Sequence, residues 1–147
     1  MNHIVKNILA IVVGFLIGSI VNIGLVNLGM ALVPLPEGAD VSTMDGVRES
    51  MKLLTPINFV FPFLAHALGT LAGAYTAARM AASFQMLIAL GIGLFFLMGG
   101  IMMVVMCGGP IWFIASDLLL AYLPMSFLGA ILARKKNPLT PEQHDPS

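Results

Sequence analysis

The sequence predicts an all-α fold, a four-helix bundle that spans a membrane as a polytopic integral membrane protein. Two observations carry this prediction. Hydrophobic residues make up 59% of the 147 residues and charged residues only 10%, whereas a soluble domain carries about 25% charged residues. The apolar runs are also continuous and about 24 residues long, which predicts membrane helices and not the shorter alternating strands of a barrel.

Composition and charge exclude several classes of protein. The formal net charge is zero, so the chain lacks the basic face that a nucleic-acid-binding protein needs. The high hydrophobic content excludes a disordered chain. A single cysteine excludes an internal disulfide framework and a multi-cysteine zinc site.

Runs without formal charges place the four spans at about 8–33, 56–79, 83–106 and 110–133. The last two come from one run of 54 residues between Arg79 and Arg134 that holds a single charge, Asp117. As one helix this run would be about 80 Å long. Because the hydrocarbon core is only ~30 Å thick, the run must cross it twice. The glycines and proline of 107–110 supply the turn.

Two prolines mark the fourth span. Pro110 suits the first turn of a helix, where its missing N–H costs nothing. Pro124 lies in the middle of the span and cannot donate the usual backbone hydrogen bond. We therefore expect it to kink the helix and to free a carbonyl one turn earlier.

The 34–55 segment is the one long loop between spans. A capping-box pattern at 42–45 is followed by apolar residues at spacings of three and four. These are Met44, Val47, Met51 and Leu54. We interpret the loop as a lid with a short helix lying on the membrane or the bundle, or alternatively as an outer docking surface. The spans and loops form one domain over 1–136, and the proline-rich 137–147 tail is predicted to be disordered in the cytoplasm.

The distribution of lysine and arginine predicts the orientation. Five of these residues lie on the side that holds both termini and two lie on the loop side, so both termini are predicted to be cytoplasmic. The first hydrophobic stretch is longer than the core of about 7–15 residues in a cleaved signal peptide. We therefore expect an uncleaved protein in a bacterial cytoplasmic (inner) membrane.

Small residues at i, i+4 spacing form stripes along the spans. Such stripes allow the close backbone approach on which helix association in lipid depends. The GxxxG pairs Gly14/Gly18 and Gly69/Gly73 predict that the first two spans pack together, or alternatively that they form a homodimer face. The third stripe consists of Gly91, Phe95 and Gly99, and the fourth of Asp117, Ala121, Met125, Gly129 and Ala133.

Polar side chains at similar depth form the candidate functional site. A centred carboxylate such as Asp117 costs about 2.5–3.5 kcal/mol, and because it shares a stripe with small residues it should face other helices. The helical rise places Asn22 and His66 near the same depth. The expected buried cluster is Asn22, His66 and Asp117, with Asn27 and Thr70 at its edge. This cluster has two possible roles. It either holds the helices together through hydrogen bonds, or it serves as a proton-relay or ion-binding element.

Methionines on the third span form a separate pattern. Met98, Met102 and Met106 recur every four residues, and Cys107 adjoins them. Thioethers and a thiolate are soft ligands that suit Cu(I), and over nine residues the spacing resembles the thioether ladder of copper-uptake channels. The rest of the chain does not match that three-span family, and methionine often fills irregular gaps. We therefore expect no bound metal or cofactor.

Motifs of enzymes are lacking in the sequence. It has no His-Glu-x-x-His pattern, no glycine-rich phosphate loop and no hydrolase triad in a recognisable context. We expect a small non-catalytic membrane protein, an interaction or assembly subunit that works in the lipid bilayer with an unknown protein partner or as a homo-oligomer. The alternative is a small proton- or ion-linked transporter or channel that uses the Asn/His/Asp cluster.

Overall fold

The computed structural model describes residues 2–134, and its regular structure is helical, with no strand in that range. The helices are α1 (His3–Leu32), α2 (Met44–Ser50), α3 (Val60–Met80), α4 (Gln85–Cys107), α5 (Ile111–Leu120) and α6 (Leu123–Ala133), and a 3₁₀ turn (Pro56–Phe59) leads into α3. The all-helical prediction is confirmed. The predicted tail at 137–147 lies outside the described residues.

Four stretches are long and apolar enough to cross a membrane: His3–Leu32, Pro56–Met80, Gln85–Cys107 and Ile111–Ala133. They match the four predicted spans closely. The largest difference is at α1, which begins at His3 and not at residue 8. It begins early because the Asn2 side chain caps the helix, accepting a hydrogen bond from the Ile4 N–H at 3.2 Å.

The long helices alternate in direction along the bundle. Gly14 of α1 lies against Ala77, near the end of α3, whereas Gly18 lies against Gly69, earlier in α3. The two helices are therefore antiparallel. We call the end with the long loop and the turn after α4 the loop end. The terminal end holds both ends of the described chain and the turn after α3.

The α1–α3 interface depends on its four glycines. A methyl group added at Gly14 would lie 2.7 Å from the Gly73 carbonyl oxygen, and one added at Gly18 would lie 2.8 Å from that of Gly69. Backbone therefore lies directly on backbone, as small residues permit. Both GxxxG pairs are used inside one chain, in a contact between the first two spans.

The assignment of the third stripe was wrong. Gly91, Phe95 and Gly99 are exposed, and an added methyl group at either glycine would meet only open space. The packed face of α4 instead carries Gly93 and Gly100, seven residues apart. A methyl group at Gly93 would lie 2.5 Å from Ser126 Cβ, because α4 approaches the fourth span at this face.

The core is built largely from alanine. Towards the terminal end it consists of Ala74, Ala77, Ala78, Ala89, Ile92, Ala130 and Ala133. Small side chains bring the helices close but bury little volume. The aromatic rings of Phe15 and Phe96 stack at a centroid distance of 5.8 Å and fill the space beside this core. The core cluster at the terminal end is therefore apolar.

The fourth span is broken in the middle, as Pro124 predicts. α5 ends at Leu120 and α6 begins at Leu123, with Pro124 in its first turn. Tyr122 lies between them with φ −115° and ψ −79°. Proline has no N–H to donate, so the helix restarts with a fresh first turn. The 107–110 turn that precedes α5 also forms where the sequence predicts it.

The short helix of the long loop is present, but its cap differs from the predicted box at 42–45. Thr43 is the N-cap, and its hydroxyl accepts a hydrogen bond from the Gly46 N–H at 3.0 Å. Ser42 instead donates its hydroxyl and N–H to Asp40, at 2.6 and 2.8 Å. These two bonds lower the pKa of Asp40 below its usual value. The N-cap of α2 is therefore Thr43 and not Ser42, because both hydrogen-bonding groups of Ser42 are already bonded to Asp40.

Asn7 anchors the turn at the terminal end. Its side-chain oxygen accepts hydrogen bonds from the N–H groups of Ala82 and Ser83, at 2.9 and 3.3 Å, and its amide nitrogen donates to the Ser83 hydroxyl at 3.0 Å. The turn ends at Phe84, a non-glycine residue with φ +54°. The three bonds hold α1 to the start of α4 and keep this backbone in place.

Candidate functional site

Two predicted site residues meet directly in the middle of the bundle. The Nδ1 atom of His66, on α3, lies 2.8 Å from a carboxylate oxygen of Asp117, on α5. Asp117 is buried because its small-residue stripe faces the other helices. The two side chains are 51 residues apart in sequence, and antiparallel packing brings them to the same level.

Tyr122 completes the cluster, although the sequence analysis does not include it among the candidate site residues. Its hydroxyl donates a hydrogen bond to the second Asp117 oxygen at 3.0 Å, and its ring lies on the His66 ring at a centroid distance of 5.7 Å. In a continuous helix the two residues would be about 140° apart. The break before α6 turns Tyr122 towards Asp117. A tyrosine hydroxyl in mid-span beside a proline was the available signal.

The remaining predicted residues differ in their positions. Asn22 lines a cavity together with His66. Thr70 is fully buried one turn from His66, and its hydroxyl has no partner within residues 2–134. Asn27 is not at the edge of the cluster: it is exposed and donates to the carbonyl of Ile23 on its own helix at 2.8 Å. It lies about 140° around α1 from Asn22, which corrects that assignment.

A cavity of about 260 Å³ adjoins the cluster between α1, α3 and α4. Its polar lining is Ser19, Asn22, His66 and Tyr122, and its other lining residues are Ile23, Phe96, Gly99, Gly100 and Met103. Three of these, Ile23, Gly99 and Met103, are exposed on the outer surface. The cavity therefore opens sideways between α1 and α4, where Gly99 has no side chain to close it.

The cavity reaches two members of the cluster, His66 and Tyr122, whereas Asp117 does not line it. The His66 side chain is 23% exposed, against 4% for that of Asp117. Nδ1 faces Asp117, whereas Nε2 has no hydrogen-bond partner among the described residues. A histidine held at one nitrogen presents the other to a ligand or a proton. The arrangement can thus accept a proton from the cavity and stabilise the resulting imidazolium with Asp117.

The other packing and metal candidates occupy different places. Gly129 of α6 packs against α3, and a methyl group added there would lie 2.9 Å from the Leu71 carbonyl oxygen. The ladder Met98, Met102 and Met106 is exposed on the outside of α4, whereas Cys107 is buried. The structure therefore does not gather the soft ligands. Within the described residues no three His, Cys, Asp or Glu side chains come together as a metal site.

A second, larger cavity of about 870 Å³ lies at the loop end, between α2 and the turn before α5. Side chains of both charges line one wall, and Phe59, Cys107 and Trp112 line the other. Phe59 and Trp112 pack edge to face at a centroid distance of 5.5 Å. This is the surface that the sequence offers as an outer docking site.

The fold and site define an all-helical protein that has four helical stretches long and apolar enough to span a membrane and a polar cluster at the centre of its bundle. No protein-family model, curated protein or solved structure matches the chain. Its function must therefore be argued from the residues themselves.

Proposed function

We propose that the chain is an integral protein of a bacterial cytoplasmic membrane, with both termini in the cytoplasm. The length and hydropathy of the four helices support insertion. Large apolar side chains cover the outer surface of the bundle, and the Asp117 side chain is buried inside it. Lys6, Arg79 and Arg134 lie towards the terminal end, and two further lysines follow Arg134 in the sequence, which favours that end facing the cytoplasm.

We further propose that it is a small proton- or ion-linked transporter. The observation that carries this proposal is the break in the fourth span beside the His66–Asp117 pair. Transport sites typically lie near the middle of the membrane, where discontinuous helices meet. Tyr122, at the break, is the central residue of Ile111–Ala133. Intramembrane acids and histidines of this kind mark ion and proton pathways.

The structure weakens the argument for an assembly subunit. The GxxxG pairs, one support for that hypothesis, lie in the contact between α1 and α3 and are not available to a partner. The loop-end cavity with its mixed charges favours it as the second candidate function. In that case the protein is a non-catalytic subunit whose partner, or second copy, docks at the loop end.

The direct test is proton movement in proteoliposomes. Vesicles with the protein and a trapped pH-sensitive dye are given outward gradients of sodium or tetramethylammonium. We expect at least one gradient to drive protons through the wild type. Asp117→Asn should abolish this flux while the protein still assembles, and Met98→Leu, an exposed change outside the cavity, should retain it. Equal flux in Asp117→Asn and the wild type would contradict the proposal.

A further inference from the structure

We propose that the cavity beside His66 binds one small lipophilic monocation in competition with one proton. The inference rests on the proposed transport function, for which it names the substrate class. It follows from the charge of the cluster, the lining of the cavity and the position of its opening.

The charge of the cluster determines what the cavity can hold. Tyr122 donates to one oxygen of Asp117, and His66 Nδ1 faces the other. Without an exchangeable proton the cluster carries one negative charge. With one proton, on the carboxyl or on Nε2, it is neutral. An unbalanced charge at this depth is costly, so the cluster requires one positive charge, from a proton or from a bound cation.

The lining selects an organic cation over a metal ion. Hard metal ions need several oxygen ligands, but the side-chain oxygens here come only from Ser19, Asn22 and Tyr122, and Tyr122 already bonds Asp117. Two aromatic side chains, Phe96 and Tyr122, line the cavity, and aromatic rings attract organic cations. The amide of Asn22 adds a hydrogen-bonding group on the opposite helix.

The position of the opening favours a lipophilic ligand. The cavity opens between α1 and α4 on the apolar outside of the bundle, at the exposed side chains of Ile23 and Met103. A ligand can therefore enter from the lipid, with its apolar part leading past these side chains. Its charged group then reaches Nε2 of His66, because Asp117 lies behind the imidazole.

Competition with a proton follows from the single negative charge. The titratable side chains elsewhere on the described parts of α1, α3, α4, α5 and α6 are His3, Lys6, Tyr75, Arg79 and Cys107, and none of them lines the cavity. The pH dependence therefore belongs to His66, Asp117 and Tyr122. At pH values where the cluster holds its proton, the affinity for the cation should fall about tenfold for each unit by which the pH is lowered.

The test uses two probes of similar shape, benzylammonium and neutral benzyl alcohol. Each is titrated calorimetrically into the full-length protein in lipid nanodiscs, from about pH 5 to 8, where histidine titrates. We expect the wild type to bind benzylammonium at least tenfold more tightly than the alcohol at the upper end of this range. The preference should decline as the pH falls.

Two variants and one control make the test specific. Asp117→Asn should lose both the preference for the cation and the pH dependence. Gly99→Leu, at a position where an added side chain meets only open space, should fold normally and block the opening, so that neither probe binds in the cavity. Met98→Leu, on the outer surface, should behave as the wild type.

Two results would overturn the inference: equal affinity of the wild type for the two probes, or an unchanged cation preference in Asp117→Asn. Its failure is separable from that of the transport function. Benzylammonium binding without cation-driven proton flux would remove the transport function and leave the binding site. Proton flux driven by sodium without benzylammonium binding would remove the binding site and leave the transport function.

Discussion

Asp117 is tolerated inside the bundle because each of its carboxylate oxygens has a partner. One lies 2.8 Å from His66 and the other accepts a bond from Tyr122 at 3.0 Å. Removing one partner leaves a buried acceptor without a bond, which costs more than the bond itself contributes. Both partners line the cavity, but the His66 side chain is 23% exposed whereas Tyr122 is 2% exposed. His66 is therefore the more accessible of the two partners.

Tyr122→Phe tests the buried side of the cluster. It removes the hydroxyl but keeps the ring, so we expect the free energy of unfolding to fall by about 1 kcal/mol, since interhelical bonds in membranes average ~0.6 and reach ~1.7 kcal/mol. Detergent-induced unfolding measures the change. Tyr75→Phe is the matched control, because Tyr75 is 40% exposed. A loss as large in the control would show that the Asp117 bond is not the cause.

At the scale of the helices, the close α1–α3 contact and the break between α5 and α6 have separate roles. α1 and α3 lie backbone on backbone along their glycines and form the closely packed half of the bundle. The α5–α6 break interrupts the other half and turns Tyr122 inward. Because its backbone hydrogen bonds are interrupted, this break is the natural place for a hinge. The site lies between the closely packed pair and the break.

Gly14→Ala tests the close packing of α1 on α3. The added methyl group would lie 2.7 Å from the Gly73 carbonyl oxygen, and overpacking of this kind costs about 1–3 kcal/mol. We expect that loss in the free energy of unfolding. On the same helix Gly24 faces open space, so Gly24→Ala should leave the stability unchanged or slightly raised through helix propensity. Equal effects of the two changes would mean that α1 does not pack on α3 in this way.

For the whole molecule, the orientation in the membrane has a direct test. In a Cys107→Ser background, single cysteines replace Ser42 in the long loop and His3 at the start of α1, both exposed positions. In intact cells a membrane-impermeant maleimide should label the loop cysteine and leave the other unlabelled until the membrane is opened. This result is expected because the excess of lysine and arginine lies at the terminal end. The reverse pattern would place the termini outside.

Long apolar runs, the Pro124 position and the GxxxG pairs predicted the four helices, the break and the α1–α3 contact from the sequence. Each of these patterns is local or periodic and can be recognised within the sequence of a single helix. The His66–Asp117 contact was also predictable, because polar residues at one depth in a small bundle have few other partners. Asn27 and the Gly91 stripe could not be placed correctly, since depth and spacing do not reveal which face of a helix meets a neighbour.

The sequence by itself determined that this protein is a bundle of four apolar helices with a costly carboxylate among them, because hydropathy and helical rise act along the chain. Only the tertiary structure decided that Tyr122 turns into the site, that Gly93 and Gly100 form the packed face of α4, and that a cavity opens beside His66. These features depend on the rotation of each helix about its axis. That rotation is determined by side-chain packing between helices that are distant in sequence, and by a backbone break whose direction no local pattern specifies.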